Sequence, residues 1–445
     1  MTAGLKFRAL SLMIARVRTA FRALQHRNLR LFFAGHGVSL VGTWMQQVAM
    51  SWLVYRLTDS ELLLGVIAFA GQFPGLLMAP FAGALVDRWD RHRMVVVAQT
   101  LLMIQASILA GLVITGRVEV WHLITLAIVS GLVNGADIPA RQSLLVRLVG
   151  GTQDLPNAIA LNSSMFNAAR LVGPAVAGVL IGWVGEGPVF VLNALSYVAV
   201  LGALLAIRLP PERRVASGAV LAHIREGFTY AFGHPPTRDM LILFAGVSLV
   251  GVPYVVLLPA FARDVLGGDA RTLGLLTSCA GLGAFMGALT LAARDSLAGI
   301  GRLVVRATAA LGVVLVAFAA SRSFWLSASL LVLSGFALML ATASVNTVIQ
   351  TLVSDEMRGR IVSLYAMAFI GVTPIGSLAG GALATRIGAP FTVALGGLGC
   401  VALAVAFGPR LGHLGEALRV HDTGSGVLPE VASGLQTASE LRPRT

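Results

Sequence analysis

Twelve apolar runs, each at least 18 residues long and nearly free of charge, divide this chain at about 31–55, 62–86, 94–114, 121–145, 157–184, 188–207, 239–261, 273–293, 303–320, 326–352, 361–385 and 390–407. A helix rises about 1.5 Å per residue, so a hydrocarbon layer about 30 Å thick takes about 20 residues to cross. Lipid offers backbone N–H and C=O groups no water, and a helix satisfies them within one segment. The runs therefore predict an all-α membrane protein with twelve transmembrane helices. A soluble domain of 445 residues would need far more surface charge than 12% charged against 56% hydrophobic residues provides.

An even number of spans puts both termini on one side of the bilayer. Of the 33 basic residues, 24 lie in the N-terminal segment, the even-to-odd loops and the C-terminal tail, six in the opposite loops, and three (Arg141, Arg170, Arg306) within spans. By the positive-inside rule both termini are expected in the cytoplasm. The same distribution explains the net charge of +13 as topology, so no nucleic-acid partner is expected. Residues 10–27 read as a basic amphipathic helix on the anionic inner leaflet, within an N-terminal segment 1–30. A cleaved signal peptide is the competing reading, but the apolar run that follows is too long and no A-x-A site ends it.

The halves resemble each other. GVSLVG stands at 37–42 and again at 246–251, Leu64-Gly65 and Leu273-Gly274 share the same offset, and Gln142 and Gln350 nearly do. Duplication predicts two pseudo-symmetric six-helix bundles, 31–207 and 239–407, joined by a Pro-, Arg- and Gly-rich cytoplasmic linker 208–238. Residues 408–445, polar and rich in Gly, Ser and Pro, read as a disordered cytoplasmic tail.

Catalytic constellations are missing from the sequence. Lys6 is the one lysine, which leaves no Walker A loop and no Schiff-base lysine in the fold. Cys279 and Cys400 lie singly in apolar runs, no HExxH or GxSxG occurs, and neither an enzyme, a metal nor a cofactor is expected.

The loop between spans two and three reads Gly83-Ala-Leu-Val-Asp87-Arg88-Trp-Asp90-Arg91-His92-Arg93. It resembles the signature loop of the major facilitator superfamily. The corresponding second-half stretch, Gly287 to Arg294-Asp295, keeps the glycine but reverses the charges. Asp137-Ile-Pro139-Ala-Arg141-Gln142, Asn157 to Asn162, Arg170-Leu-Val-Gly173-Pro174 with Gly178, and Arg358-Gly359-Arg360 resemble the branch of that superfamily containing the enterobactin exporter. Gly173, Pro174 and Gly178 also approximate the fifth-helix motif of its proton-driven exporters, where they shape a bend and close packing.

Polar residues inside the spans recur at helical spacing. His36, Ser39, Thr43 and Gln46/Gln47 mark one face of span one; Ser130, Asn134, Asp137 and Arg141 one face of span four; Asn167 and Arg170 one of span five; Asn346 and Gln350 one of span ten. The resemblance implies a central cavity lined by spans one, four, seven and ten, so His36, Ser39, Thr43, Gln46, Gln47, Asn134, Asn167, Arg170, Asn346 and Gln350 are expected to face the substrate. Interhelical hydrogen bonding is the alternative for each amide or hydroxyl.

Ionisable groups are costly in hydrocarbon, and Asp137 is the acid placed well inside a span. By resemblance it belongs to a cytoplasmic gate with Gly83, Asp87, Arg88, Arg91 and Arg141; it is also the candidate for carrying a coupling proton. Arg170, at the centre of its span, is expected to pair either with Asp137 or with an anionic cargo. The function these features predict is secondary active, proton-driven export of a small amphipathic organic compound, siderophore or drug-like, by a monomer using alternating access. An importer, or a membrane receptor on the same scaffold, are the alternatives.

Overall fold

The computed structural model describes residues 21–149, 153–209, 220–294, 296 and 299–412. We number the membrane helices α1 (Arg27–Thr58), α2 (Glu61–Arg88), α3 (Arg91–Ile114), α4 (Val120–Val149), α5 (Leu155–Val184) and α6 (Glu186–Ala206) in the first half. The second half holds α7 (Pro235–Val250), α8 (Ala270–Ala292), α9 (Ile300–Ala320), α10 (Phe324–Leu352), α11 (Asp355–Ile387) and α12 (Ala389–Gly412). Eleven helices among the described residues are long and apolar enough to cross a membrane. The twelfth, α1, is the longest but one at 32 residues and is less apolar because it carries His36, Gln46 and Gln47. The chain is a multi-pass membrane protein. Arg27 and Gly412 lie on what we call the terminal side, and the turns after α1, α3 and α5 on the far side.

Turn chemistry accounts for the reversals. A single residue, Gly185, separates α5 from α6 with φ +81°, a conformation that glycine adopts without a Cβ penalty. Asp90 caps α3 by accepting from the Arg93 N–H at 2.8 Å, and Asp269 caps α8 by accepting from the N–H groups of Arg271 and Thr272.

One expectation about an element boundary needs correction. Span seven is not one continuous helix: α7 stops at Val250, and the chain continues through a 3₁₀ turn (Val252–Val255), a short α turn (Leu258–Ala260) and a π turn (Phe261–Val265). Pro253 and Pro259 lack the N–H that the ladder needs and crowd the preceding turn, which breaks the helix. The linker 208–238 also contains a helix, Val220–Gly233, tied to α11 by an ion pair between Glu226 and Arg360. Residues 1–20, most of the predicted amphipathic segment, and the tail beyond 412 lie outside the described residues.

The two halves pack alike. In the first, α1 lies against α5 and α6, α2 against α4, and α3 against α4 and α6; in the second, α7 lies against α11 and α12, α8 against α10, and α9 against α10 and α12. Between halves the main contacts are α2 with α11 and α5 with α8.

Candidate functional site

A charge network ties three helices of the first bundle together. Asp137 on α4 is 1% exposed. Its carboxylate accepts from the Gln99 amide of α3 at 3.0 Å and lies 2.9 Å from the guanidinium of Arg141, one turn along α4. Arg141 reaches on to His36 of α1, with 2.9 Å between Nη1 and Nε2. A guanidinium only donates, so the near ring nitrogen of His36 accepts. His36 in turn stacks on Phe32, with ring centroids 5.1 Å apart. The i, i+4 spacing brings Asp137 and Arg141 onto one face, and that face points into the bundle between α3 and α1.

Arg170 is placed differently. Asp137 is engaged by Arg141 and Gln99, and the expected Asp137–Arg170 pair does not form. The reason is geometric: Asp137 points toward α3, whereas Arg170 lies where α5 meets α1 and the second bundle. Its guanidinium carbon sits 5.8 Å from the ring centre of Trp44, and Trp44 packs edge-on against Phe166, one turn before Arg170, at 5.6 Å. Tyr254, in the broken stretch after α7, is hydrogen-bonded to Ser334 of α10 at 3.2 Å. An open groove of about 300 Å³ lies beside Tyr254, lined by Leu249, Pro253, Leu257, Leu383 and Thr392.

The seam between bundles is closed from this level to the far side. At the midplane, Ser278 of α8 donates to the Leu171 carbonyl at 2.8 Å, and a Cβ on Gly281 would stand 3.0 Å from the Arg170 carbonyl. Farther out, Gly274 meets Gly178, where an added Cβ would lie 2.4 Å from the Pro174 carbonyl, and Gly65 meets Gly381. At the far end Tyr55 donates to Asp264, Arg263 pairs with Asp59, and Arg271 donates to the Gly182 carbonyl at 3.3 Å.

Residues 18–419 match the family model described as transmembrane secretion effector. The chain belongs to the transmembrane secretion effector family of the major facilitator superfamily. Members with assigned activities are similar along nearly their whole length. The multidrug efflux pump Tap of Mycolicibacterium fortuitum is 27% identical, over 86% of this chain and 94% of the relative. The staphyloferrin A transporter of Staphylococcus aureus is 22% identical over 85% and 95%, and macrolide efflux protein A of Streptococcus pyogenes 22% over 86% and 96%. Among solved structures, the nucleoside transporter NupG superposes with a TM-score of 0.68 at 15% identity, covering 86% of this chain and 98% of that one. A bacterial homologue of the human lysosomal transporter Spinster, inward-facing and occupied, gives 0.67 at 15% identity over 90% and 98%. These likenesses establish a transporter fold.

Within this major facilitator frame the other predicted residues separate. Thr43 and Gln47 are exposed on the same face of α1 as His36, while Ser39 is buried. Gln46 turns instead toward α3 and α6, donating to Gln105 at 3.2 Å and accepting from Asn193 at 2.7 Å. Asn134 and Asn167 each donate to a carbonyl one turn back, Ser130 and Ser163, and Gln350 donates to Asn346 at 3.1 Å. Helix α5 runs unbroken through Pro174, Gly173 lies against Trp44 of α1, and Gly178 against α8. Gly83, Asp87 and Arg88 stand in the last turns of α2, where their side chains fall outside the described residues; Arg91 opens α3. Sequence reasoning missed Gln99, Trp44, Tyr254 and the Tyr55–Asp264 pair. Tyr55 and Asp264 could have been found by applying the repeat offset to the ends of spans one and seven.

Proposed function

We propose that this protein exports small amphipathic organic compounds from the cytoplasm, driven by the proton gradient. Alternating access rocks the bundle 31–207 against 239–407 about the seam at Arg170. The observation carrying this reading is the run of bonds between bundles from the midplane to the far side, with Arg170 at its midplane end. Support for export comes from the efflux pumps and the siderophore transporter that share most of the chain. In this scheme the terminal side is cytoplasmic, the basic termini meet the anionic inner leaflet of the bacterial inner membrane, and one monomer suffices.

Asp137 is the proton-sensitive element of the proposal. Protonating it removes the acceptor that holds Arg141, freeing Arg141 and its His36 contact to rearrange, and Asp87, Arg88 and Arg91 form the rest of the cytoplasmic gate. The test is accumulation of a fluorescent amphipathic tracer in everted vesicles containing the full chain, with an imposed pH gradient. Gradient-dependent uptake, lost on adding nigericin and in Asp137→Asn, is the expected result. Equal uptake with and without a gradient counts against proton coupling.

A further inference from the structure

Arg170 is a mid-membrane charge whose natural counter-charges are used elsewhere. Asp137 is held by Arg141, Glu186 by Arg56, Asp59 by Arg263 and Asp264 by Tyr55. Among the described residues Arg170 forms no ion pair. Its surroundings are aromatic instead: the face of Trp44 at 5.8 Å, with Phe166 edge-on behind it. A guanidinium stays charged at any physiological pH, and its planar fork suits two oxygens of a carboxylate or related oxyanion. A charge left uncompensated in a low-dielectric site is costly, so the site favours a ligand that brings the missing negative charge.

We infer that the cargo is a soluble organic anion, its oxyanion seated on Arg170 and its aromatic or apolar body against Trp44 and Phe166. This rests on the proposed transport role, and it adds the substrate class. It also joins recognition to movement: the backbone of Arg170 touches Gly281, and the next carbonyl, of Leu171, accepts from Ser278, so the arginine stands on the seam itself. A lipid phosphate headgroup offers the same chemistry from another source and is separated by the test.

The experiment uses the full chain in phosphatidylcholine nanodiscs with three probes sharing one body: 1-pyrenebutyrate, the neutral 1-pyrenebutanol and the cationic 1-pyrenebutylamine. Wild type is expected to bind the acid about tenfold more tightly than the alcohol, the size of one charge-assisted hydrogen-bonded contact. Arg170→Gln should abolish that preference while the alcohol stays within about twofold, and Arg170→Lys should keep part of it. Should Arg170→Gln fail to fold, the wild-type ranking decides alone. Wild type that binds the alcohol or the amine as tightly as the acid, no binding of the acid at about 1 mM, or an Arg170→Gln variant that keeps the preference overturns the inference. So does competition by phosphatidylglycerol added to the nanodiscs, which would assign the arginine to lipid. Failure of gradient-driven uptake with the ranking intact would count against export alone.

Discussion

Tyr55 and Asp264 stand 209 residues apart, the offset that relates GVSLVG at 37–42 to its copy at 246–251, and the tyrosine hydroxyl donates to the carboxylate across the bundle seam. Equivalent positions of two related halves meet each other only on the symmetry axis. Duplication has thus placed two different residues at one axial point, where they bond as donor and acceptor. Arg263 also lies 5.9 Å from the Tyr55 ring centre and pairs with Asp59, so the far end is clasped from both sides of the axis.

Removing that clasp should favour opening toward the far side. Tyr55→Phe and Asp264→Asn should each lower thermal stability modestly, and a double-mutant cycle should return a coupling of about 1 kcal/mol or less, since Asp264 is exposed. Additive single effects would mean that the two groups do not act on each other in the membrane.

The glycine contact between α5 and α8 should be far less tolerant. A Cβ at position 274 would lie 2.4 Å from the Pro174 carbonyl and 2.8 Å from the Gly178 Cα, both backbone atoms that cannot swing aside. Gly274→Val should insert and fold yet lose most transport, with far-side residues of α5 becoming reactive to thiol probes after cysteine substitution. Gly111→Ala, where an added Cβ meets nothing within 4 Å, is the control that should transport normally.

Within the first bundle, Asp137→Asn leaves Arg141 with one partner fewer in a buried setting. We expect a loss of about 1–3 kcal/mol in stability, largely recovered when Arg141→Gln removes the stranded charge as well. Both variants should lose uphill transport. A double variant no more stable than the single one would show that Arg141 finds another partner without Asp137.

On the terminal side, Asp154 before α5 holds the entry to α1, pairing with His26 at 2.9 Å and with Arg22. These two contacts, His26 first, lower its carboxyl below the usual range. A depressed carboxyl contributes stability above its unfolded value, about 3.9, and loses it as pH falls through the lower folded value. The difference in melting temperature between wild type and Asp154→Asn should therefore be present at about pH 5 and shrink in stronger acid. A difference that already vanishes near pH 6 would point to a different titrating group.

Much of the architecture was legible beforehand, because lipid imposes one rule on every span. Long apolar runs have no other way to satisfy their backbones, so the runs lie within a few residues of the helices; Glu186–Ala206, for example, corresponds to the run 188–207. Span seven escaped because the hydropathy of Gly251-Val-Pro-Tyr254 matches that of a helix, while its backbone chemistry does not. The candidate site was legible in part. Asp137, Arg141 and His36 stand out in the sequence as polar intrusions at helical spacing, and in the structure Arg141 joins the other two while Gln99 bonds to Asp137.

What the sequence determined alone was the class of fold, the number of spans and the duplication, since these follow from run length and repeat offset and need no knowledge of neighbours. Which charge pairs with which was decided only by tertiary structure. Asp137 and Arg170 differ little in predicted depth, but depth does not say which way a side chain points around its helix. The packing of α4 on α3 turns Asp137 toward Gln99, and the packing of α5 between α1 and α8 turns Arg170 toward Trp44. Rotation about the helix axis is set by side chains meeting across interfaces, and that information is spread over partners distant in the chain.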